Sequence, residues 1–438
     1  MTSPIRLNRR CFLASTLGLL TTTSIPTFAA TKLLEPYNFK ETKNTNPSML
    51  AKDESYWNGI AKYYDRTEGI INLEHGYWGK MSHPVQDFYL NAITTVNQQN
   101  SYYARKDFNQ DMTSVNQMLA NALNINSSEI TLTRNASEGF HALIRQYKNL
   151  NSSDAVLWAD IDYPSFKRGM QWLAESHNAK AIELKLPAQC SKADLIQIYT
   201  QAFKENPNIK IALLTHVSNQ HGLKLPVKEI TAEAKKHGID VICDCAQSWG
   251  LVDFTLPELG VDLAVFNLHK WIGSPLGVGA LYIKEGLLDK IAPFPGDAKP
   301  NTDTIAQRVH MATADFASFI SVPMALDFHT KIGGKNKEAR LKYLRSLWVN
   351  QLKENPNIEI LGAIDEESTT GMGSFRIKGK ASETEVKNLQ KTLEEKYGVF
   401  TVVRDGLNSG YCIRVTPQIF TKTEDIQALI NALRVESA

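Results

Sequence analysis

The stretch that decides the fold is Asp240-Val241-Ile242-Cys243-Asp244-Cys245-Ala246-Gln247, followed by Leu263-Ala264-Val265-Phe266-Asn267-Leu268-His269-Lys270-Trp271. Each piece is a short apolar run that ends in polar residues. Such runs are typical of strands buried on both faces of a parallel sheet. Ligands of open α/β sheets bind beyond the carboxyl ends of the strands, so we expect the polar residues after both runs to meet in one crevice. These residues are Asp244, Gln247, His269 and Lys270.

Lys270 has two interpretations. It stands among apolar neighbours, so it is either a snorkelling lysine whose ammonium reaches water or a desolvated lysine whose lowered pKa makes it a nucleophile for aldehydes. Asp244 favours the second interpretation, because a carboxylate across the crevice suits a pyridinium nitrogen. Pyridoxal phosphate (PLP) is the cofactor that uses both groups.

The two motifs together resemble those of a known family. Asp-Cys-Ala-Gln at 244–247 and Asn-Leu-His-Lys-Trp at 267–271 are similar to motifs of the class V aminotransferase family of PLP enzymes, in particular its isopenicillin N epimerase-like branch. The resemblance extends from about Asn72 to Leu433. It implies an α/β fold, fold type I of the PLP-dependent transferases, with a large domain on a mainly parallel seven-stranded sheet and a smaller C-terminal α+β domain. It also implies a homodimer with the active site at the interface.

Residues 1–30 resemble a twin-arginine export signal. Arg9-Arg10 precede a modestly apolar run that ends near Ile25, and Thr27-Phe28-Ala29 follows as a cleavage site. An ordinary secretory signal or an uncleaved anchor is the alternative, although the run is short for a membrane span and broken by threonines. We therefore predict a periplasmic protein, which the twin-arginine machinery exports folded and loaded with its cofactor.

The rest of the chain divides into three parts. Residues 31–70 form an N-terminal arm, and polar composition predicts irregular structure over residues 31–60. Residues 71–317 are predicted to form the large PLP-binding domain and residues 318–438 the small C-terminal domain.

The net charge of the chain is close to zero. Without the three arginines of residues 1–30, the chain has 45 basic and 46 acidic residues. This net charge of −1 provides no electrostatic case for binding nucleic acid.

The segment Asn72-Leu73-Glu74-His75-Gly76-Tyr77-Trp78-Gly79 contains two glycines among aromatic residues. Glycine allows the backbone to approach other groups closely, so the segment is predicted to pack tightly against another part of the chain. A plain tight turn before a helix near Pro84 is the alternative. The family resemblance implies that the segment borders the substrate pocket, with His75 and Tyr77 as lining residues.

The turn after Thr133 is a candidate phosphate site. One interpretation is that Asn135 or Ser137 simply caps the helix that follows. The other is that the free N–H groups and the positive dipole of the helix start bind a phosphate. The residues themselves leave both interpretations open. The resemblance places the cofactor phosphate at Ala136 and Ser137.

The resemblance implies a role for each further candidate. Lys270 forms the Schiff base with PLP and moves the α-proton, and Asp244 keeps the ring nitrogen protonated. Other cofactor contacts are implied for Tyr163 (stacking on the ring), Gln247 (the phenolic oxygen), Asn267 and His269 (phosphate or ring edge) and Thr313 (the phosphate of the neighbouring subunit). The family usually has Gly where this chain has Ala312. Asn219 and Arg414 are implied to hold the substrate carboxylate, although a salt bridge on an edge strand explains Arg414 equally well.

The cysteines indicate no metal site. Cys243 and Cys245 flank Asp244 on a predicted strand, so they point to the opposite face. A Cys-x-Cys pair on a buried strand is better explained as small apolar filling than as a metal site. A disulfide between Cys190 and Cys412 is an alternative in an oxidising compartment, but their spacing in the sequence does not favour one.

The type of reaction is narrowed but not decided. Desulfurases of the family need a reactive cysteine between an Arg-x-Gly segment and the final arginine, and residues 404–410 contain none. Because exported class V enzymes that tailor the siderophore pyoverdine resemble this chain, we expect aminotransferase-type chemistry on a secreted amino-acid-containing or peptide-like metabolite. An epimerase-like racemisation or a lyase reaction is the second expectation. A non-catalytic PLP-fold binding protein is the alternative from another class.

Overall fold

Strands and helices alternate through most of the chain, of which a computed structural model describes residues 45–299 and 302–438. The strands of this part are β1 (Ile71–Asn72), β2 (Ile130–Thr133), β3 (Ala155–Ala159), β4 (Lys180–Leu184), β5 (Gln189–Cys190), β6 (Ile209–Thr215), β7 (Asp240–Asp244), β8 (Leu263–Asn267), β9 (Gly279–Ile283), β10 (Ile358–Ala363), β11 (Gly373–Ile377), β12 (Val399–Phe400), β13 (Val402–Arg404) and β14 (Cys412–Val415). Its α-helices are α1 (Pro47–Leu50), α2 (Glu54–Ala61), α3 (His83–Gln99), α4 (Ser101–Lys106), α5 (Phe108–Leu123), α6 (Ala136–Gln146), α7 (Pro164–Ser176), α8 (Lys192–Glu205), α9 (Val227–Lys236), α10 (Leu256–Leu259), α11 (Phe316–Ile320), α12 (Val322–Ile332), α13 (Gly334–Leu352), α14 (Glu383–Tyr397) and α15 (Thr423–Glu436).

The large sheet has seven strands in the order β2-β9-β8-β7-β6-β3-β4. Neighbouring strands are parallel from β8 to β4, whereas β9 is antiparallel to both β2 and β8. The prediction of an α/β fold with a mainly parallel seven-stranded sheet is confirmed. The predicted export signal lies outside the described residues, and no helix within them is both long and apolar enough to cross a bilayer.

Helices cover both faces of this sheet. Alternate residues of each strand point to opposite faces, and because the central strands are largely apolar, both faces have to be covered. Helices α6 and α7 pack on the face that carries Ile242, and α5, α8 and α9 pack on the face that carries Cys243. Cys243 and Cys245 therefore fill the face opposite to Asp244, as predicted, with their sulfur atoms 3.6 Å apart. All four cysteines of the described chain are buried and free.

A second sheet has five strands in the order β13-β14-β11-β10-β5. Helices α13, α14 and α15 supply apolar side chains to its core, among them Trp348, Leu393 and Leu429. This is the predicted α+β part of the fold. The boundary after residue 317 stays a prediction, and Phe319 and Val322 belong to the core of the large sheet.

The segment before β1 differs from the prediction. Residues 31–60 are predicted to be irregular, but residues 47–61 contain α1 and α2. Trp57 and Ile60 are fully buried in one apolar cluster with Leu341. The expectation is wrong here because the few apolar residues of a polar segment lie on one face, and burial of that face stabilises the helix.

Candidate active site

Two neighbouring strands bring reactive groups to the carboxyl edge of the large sheet. Asp244 is the last residue of β7, Asn267 is the last residue of β8, and Lys270 follows in the turn after β8. The strands are parallel, with Asp244 in register with Val265. Their ends therefore lie side by side, at the edge where α/β sheets bind ligands.

Lys270 has an amine that titrates far below an ordinary lysine. It is half-buried, and desolvation of the ammonium lowers its pKa to about 8. The negative charge of Asp244 opposes this shift, whereas the positive charges of Arg414 and Arg404 add to it. A larger fraction of neutral amine at neutral pH makes Lys270 a better nucleophile for an aldehyde.

Asp244 is the acid that faces this amine. Its side chain is buried, and Oδ1 accepts the N–H of Ala246 at 2.8 Å. Burial raises the pKa of Asp244 to about 6, while the Ala246 N–H and the charge of Lys270 oppose the shift. A cationic ring nitrogen beside this carboxyl would stabilise its charged form.

The glycine-rich segment 72–79 lies directly against the reactive turn. Gly79 donates its N–H to the carbonyl oxygen of His269 at 2.9 Å. A Cβ at Gly79 would stand 1.8 Å from the carbonyl oxygen of Lys270, and one at Gly76 would stand 2.8 Å from Nη2 of Arg414. The predicted close packing is confirmed, and glycine is required at both positions because a side chain would collide with its neighbour.

Gln247 fixes the same segment from the sheet side. Its Nε2 donates to the carbonyl oxygen of Gly76 at 2.7 Å, and its Oε1 accepts from Nε1 of Trp271 at 2.9 Å. One N–H of the amide has no part in this bridge, because an amide nitrogen carries two. The contact with the phenolic oxygen implied by the resemblance stays a prediction.

Helix α6 begins at the predicted phosphate site. Asn135 caps the helix, since its Oδ1 accepts the N–H of Glu138 at 2.9 Å. The Ala136 N–H donates to Oδ1 of Asn267 at 2.8 Å, so this donor is already used within the chain. Ser137 follows in the first turn, where backbone N–H groups have no partner inside the helix, and its side chain is half-buried. Ser137 is therefore the better placed of the two predicted phosphate contacts.

His269 is held in one orientation beside Lys270. Its Nδ1 lies 2.9 Å from the carbonyl oxygen of Val278. Burial and the charge of Lys270 lower the pKa of His269 to about 4, so the ring is neutral at pH 7. With Nδ1 donating, Nε2 is an acceptor. The phosphate contact implied by the resemblance therefore requires His269 to take up a proton, which a neighbouring phosphate favours.

Arg414 reaches the site from β14 but is already paired. It is fully buried, its Nη1 donates to the carbonyl oxygen of Asn219 at 2.6 Å, and its Nη2 donates to Oε1 of Glu74 at 2.6 Å. The structure thus brings together both residues implied to hold the substrate carboxylate. It also confirms that Arg414 forms a salt bridge, although the alternative of a salt bridge on an edge strand is wrong about the strand, because β14 lies between β13 and β11. Oδ1 of Asn219 is buried and finds no hydrogen-bond partner in the part of the chain that the structure describes.

Three predicted residues are exposed to solvent. Tyr163 immediately precedes α7, is 41% exposed and meets the Phe166 ring edge-on, with ring centroids 5.5 Å apart. Tyr77 is 75% exposed. Thr313 is exposed and follows Ala312, whose φ of +40° is the left-handed conformation that explains the family's usual glycine.

His75 does not join the other predicted residues. Its ring is buried against Phe420, with ring centroids 5.1 Å apart, and its Nε2 lies 3.1 Å from the carbonyl oxygen of Asn72. Burial lowers the pKa of His75 to about 4. These contacts indicate a packing role. Within residues 45–299 and 302–438, no group of three His, Cys, Asp or Glu side chains is arranged to hold a metal ion.

Two charged residues of the site escaped the sequence analysis. Glu74 and Arg404 both influence the pKa of Lys270, and Nη2 of Arg404 lies 3.9 Å from Oε1 of Glu74. A signal for Glu74 was available, because an acid in a segment predicted to pack closely needs a partner. Arg404 begins the Arg-x-Gly segment at residues 404–406, but nothing in that segment by itself indicates a contact with Glu74 or Lys270.

The lysine of lowered pKa and the buried acid, placed at this edge of this sheet, define a PLP-dependent enzyme of fold type I. A family model described as class V aminotransferase matches residues 80–429. The chain belongs to the class V aminotransferase family, and pyridoxal 5'-phosphate is its cofactor.

Relatives of the chain carry out several different reactions. Isopenicillin N epimerase of Streptomyces clavuligerus is 24% identical over 308 residues, which cover 66% of this chain and 76% of that protein. A probable chloroplastic L-cysteine desulfhydrase of Arabidopsis thaliana is 26% identical over 357 residues, which cover 74% of this chain and 73% of that protein. Membership of the family therefore leaves the reaction undecided.

Solved structures share the fold. A C-DES mutant with glycine covalently linked to the PLP cofactor matches with a TM-score of 0.73 at 21% identity, over 84% of this chain and 96% of that one. The cysteine desulfurase CsdA of Escherichia coli matches with a TM-score of 0.73 at 18% identity, over 89% of this chain and 98% of that one.

The donors and acceptors of this site fit PLP. Lys270 offers an amine to the aldehyde, Asp244 offers a carboxyl to the ring nitrogen, and Ser137 offers a helix start to the phosphate. When bound, PLP supplies an electron sink for the carbon that carries the substrate amine. The roles of Tyr163 and Thr313 toward the cofactor stay predictions.

Proposed function

We propose that the protein moves a proton at the amine-bearing carbon of an amino-acid-containing substrate, as an aminotransferase. The observation that supports this proposal is the Lys270 amine, with a pKa of about 8, beside the buried Asp244. Near neutral pH this amine exists in both protonation states, as a group that accepts and returns a proton must. The negative charge of Asp244 favours a protonated ring nitrogen, which strengthens the electron sink.

The test is an absorbance spectrum of the PLP-loaded protein with a panel of amino donors, followed by product analysis. Transamination changes the cofactor spectrum and converts the donor into the corresponding keto compound. Lys270→Ala is the control that should show neither effect. A wild-type spectrum that no donor changes would instead favour the non-catalytic binding protein.

A racemase or lyase reaction is the second candidate, and the named relatives support it. Isopenicillin N epimerase and L-cysteine desulfhydrase both align with most of the chain. In heavy water, an epimerase returns its substrate inverted and deuterated, whereas a lyase releases ammonia without a second substrate. Desulfurase chemistry has less support, because Cys412 is fully buried and burial raises its pKa to about 11.

We further propose that the protein is exported to the periplasm by the twin-arginine route and acts there on a secreted metabolite such as a siderophore. The support is the Arg9-Arg10 pair and the apolar run after it. Replacing both arginines by lysine should retain the protein in the cytoplasm, as measured by cell fractionation. Unchanged export of the variant would contradict this proposal.

A homodimer with a shared active site is also proposed. Its support is the exposure of Thr313, which the resemblance assigns to the phosphate of the neighbouring subunit. Analytical ultracentrifugation should show a dimer. Thr313→Val should weaken PLP binding while the dimer stays intact. A monomer with full PLP affinity would contradict the proposal.

A further inference from the structure

The Glu74–Arg414 ion pair occupies the place where the family resemblance expects a substrate carboxylate. Arg414 has no exposed surface, and the Glu74 side chain is 7% exposed. Besides Arg414, Glu74 is held by the N–H of Tyr77, 2.9 Å from Oε1, and by the hydroxyl of Thr416, 3.3 Å from Oε2. The carboxylate of Glu74 is therefore fixed by several donors at once.

The backbone around Glu74 is equally constrained. The Glu74 N–H donates to Oδ1 of Asn72 at 2.8 Å, and the N–H of His75 donates to the hydroxyl of Thr416 at 2.9 Å. The chain at Gly76 lies directly against the guanidinium of Arg414. A substrate carboxylate would have to displace a buried, charge-assisted hydrogen bond to pair with Nη2 of Arg414. Nε of Arg414 also has no hydrogen-bond partner among the described residues, but the side chain offers no exposed surface by which a substrate could reach it.

Arg404 lies beside the pair and reaches Glu74 only through a long ion pair. Its Nη2 is 3.9 Å from Oε1 of Glu74, too far for a hydrogen bond. Its Nε is buried and has no hydrogen-bond partner within residues 45–299 and 302–438, and its side chain is 22% exposed. Arg404 also lowers the pKa of Lys270, so it stands within electrostatic reach of the reactive amine. Two guanidinium groups thus share one acid, which is committed to Arg414.

We propose that Glu74 is a specificity-determining residue, which keeps Arg414 in a structural ion pair so that Arg404 receives the anionic group of the substrate. The inference rests on the proposed function in one respect, namely that the substrate carries an amine. The substrate class is an amino compound with a carboxylate, and the planar fork of Arg404 matches the two oxygens of that group. A second carboxylate adds little affinity while Glu74 occupies Arg414.

Carboxylates without an amine test this inference separately from turnover. The probes are propionate and glutarate, whose binding to the PLP-loaded protein is measured by calorimetry. Arg404→Gln should weaken the binding of propionate at least tenfold, and Arg404→Lys should weaken it less because the charge remains. Glu74→Gln should strengthen the binding of glutarate at least fivefold, since Arg414 is released for the second carboxylate.

Several results would overturn the inference. One is propionate binding that stays within twofold in Arg404→Gln but falls tenfold in Arg414→Lys, which would mean that substrate displaces Glu74 from Arg414. Another is glutarate binding that is unchanged in Glu74→Gln, and a third is a wild-type protein that binds neither probe. Thermal unfolding and cofactor absorbance show whether each variant is folded and loaded. If Glu74→Gln does not fold, propionate binding by the Arg404 and Arg414 variants tests the inference without it.

The failure of this inference differs from that of the proposed function. If no amine reacts with the wild-type protein, the proposed function fails, while propionate binding still tests Arg404. If amines react and Arg404→Gln leaves both their KM and propionate binding within twofold of wild type, only the inference about Glu74 and Arg404 fails.

Discussion

The two walls of the active site are built in different ways. The reactive wall consists of Asp244 and Lys270, which come from the ends of the neighbouring strands β7 and β8. The recognition wall consists of Glu74, Arg404 and Arg414, which come from three segments brought together by the second sheet and by the Glu74–Thr416 bridge. Residues that react are thus carried by neighbouring strands of one sheet, whereas residues that select combine two neighbouring strands of the second sheet with a segment from far away in the chain.

The electrostatics of the two walls differ as well. On the reactive wall, burial lowers the pKa of Lys270 to about 8 and raises the pKa of Asp244 to about 6, so both titrate near neutrality. On the recognition wall, burial lowers the pKa of Arg414 by a similar amount, to about 10, so the guanidinium stays charged at neutral pH, and Glu74 pairs with it directly. Burial thus lowers the pKa of both bases, but only Lys270 reaches the neutral range, because an amine starts from a lower pKa than a guanidinium and Arg414 has a direct acidic partner.

The largest effect is expected on the reactive wall. Lys270→Ala should lower turnover by at least about 10⁴-fold and remove the visible absorbance of the loaded protein, because both the nucleophile and the proton carrier are lost. Lys270→Arg is the matched control, since it keeps the charge but does not condense with an aldehyde. Stopped-flow kinetics and absorbance spectra measure both effects. Turnover within a hundredfold of wild type in either variant would contradict the assignment of Lys270.

On the recognition wall, the expected effect is on stability. Glu74→Ala should lower the free energy of unfolding by about 3 kcal/mol, because it leaves the fully buried Arg414 charge without its partner. The control is Lys387→Ala, which breaks the exposed pair of Lys387 and Glu383 and should change stability by less than about 0.5 kcal/mol. Chemical denaturation measures both values. Equal effects of the two variants would remove the proposed difference between buried and exposed pairs.

A smaller effect is expected from Asp244→Asn, which should still bind PLP but turn over more than about tenfold more slowly, a loss of about 1.4 kcal/mol. The variant should also shift the pH dependence of the rate at which PLP condenses with Lys270. Asp244 raises the pKa of Lys270, so its neutralisation lowers that pKa. The rate of PLP condensation follows the neutral amine, and it should rise with pH up to about 8 in the wild type and level off at a lower pH in Asp244→Asn. Identical profiles would show that Asp244 does not act on the amine.

The smallest effect is expected at the exposed face of the site. Tyr163→Leu should weaken PLP binding by about 1 kcal/mol, roughly fivefold, through loss of ring stacking. Tyr163→Phe keeps the ring and should leave the affinity unchanged. Fluorescence titration of the cofactor-free protein measures both. A loss in Tyr163→Phe as large as that in Tyr163→Leu would assign the effect to the hydroxyl group.

Much of the reactive wall was predictable because its evidence is local in sequence. Two apolar runs that end in Asp244 and Lys270 indicate buried parallel strands, and parallel strands of one sheet end at the same edge. The glycines at positions 76 and 79 predicted close packing in the same way. The helices over residues 47–61 were missed, because their stability comes from burial against distant side chains and not from a local pattern.

The sequence by itself determined the class of fold, the cofactor and the two groups that act on it, since strand patterning and residue chemistry are properties of short segments. Only the tertiary structure decided that Arg414 is hydrogen-bonded to Glu74 and that Arg404 lies beside them, in a longer ion pair with the same acid. Position 74 is distant along the chain from positions 404 and 414, which lie on adjacent strands, and the interaction of two charges depends on their separation in space and on the solvent around them.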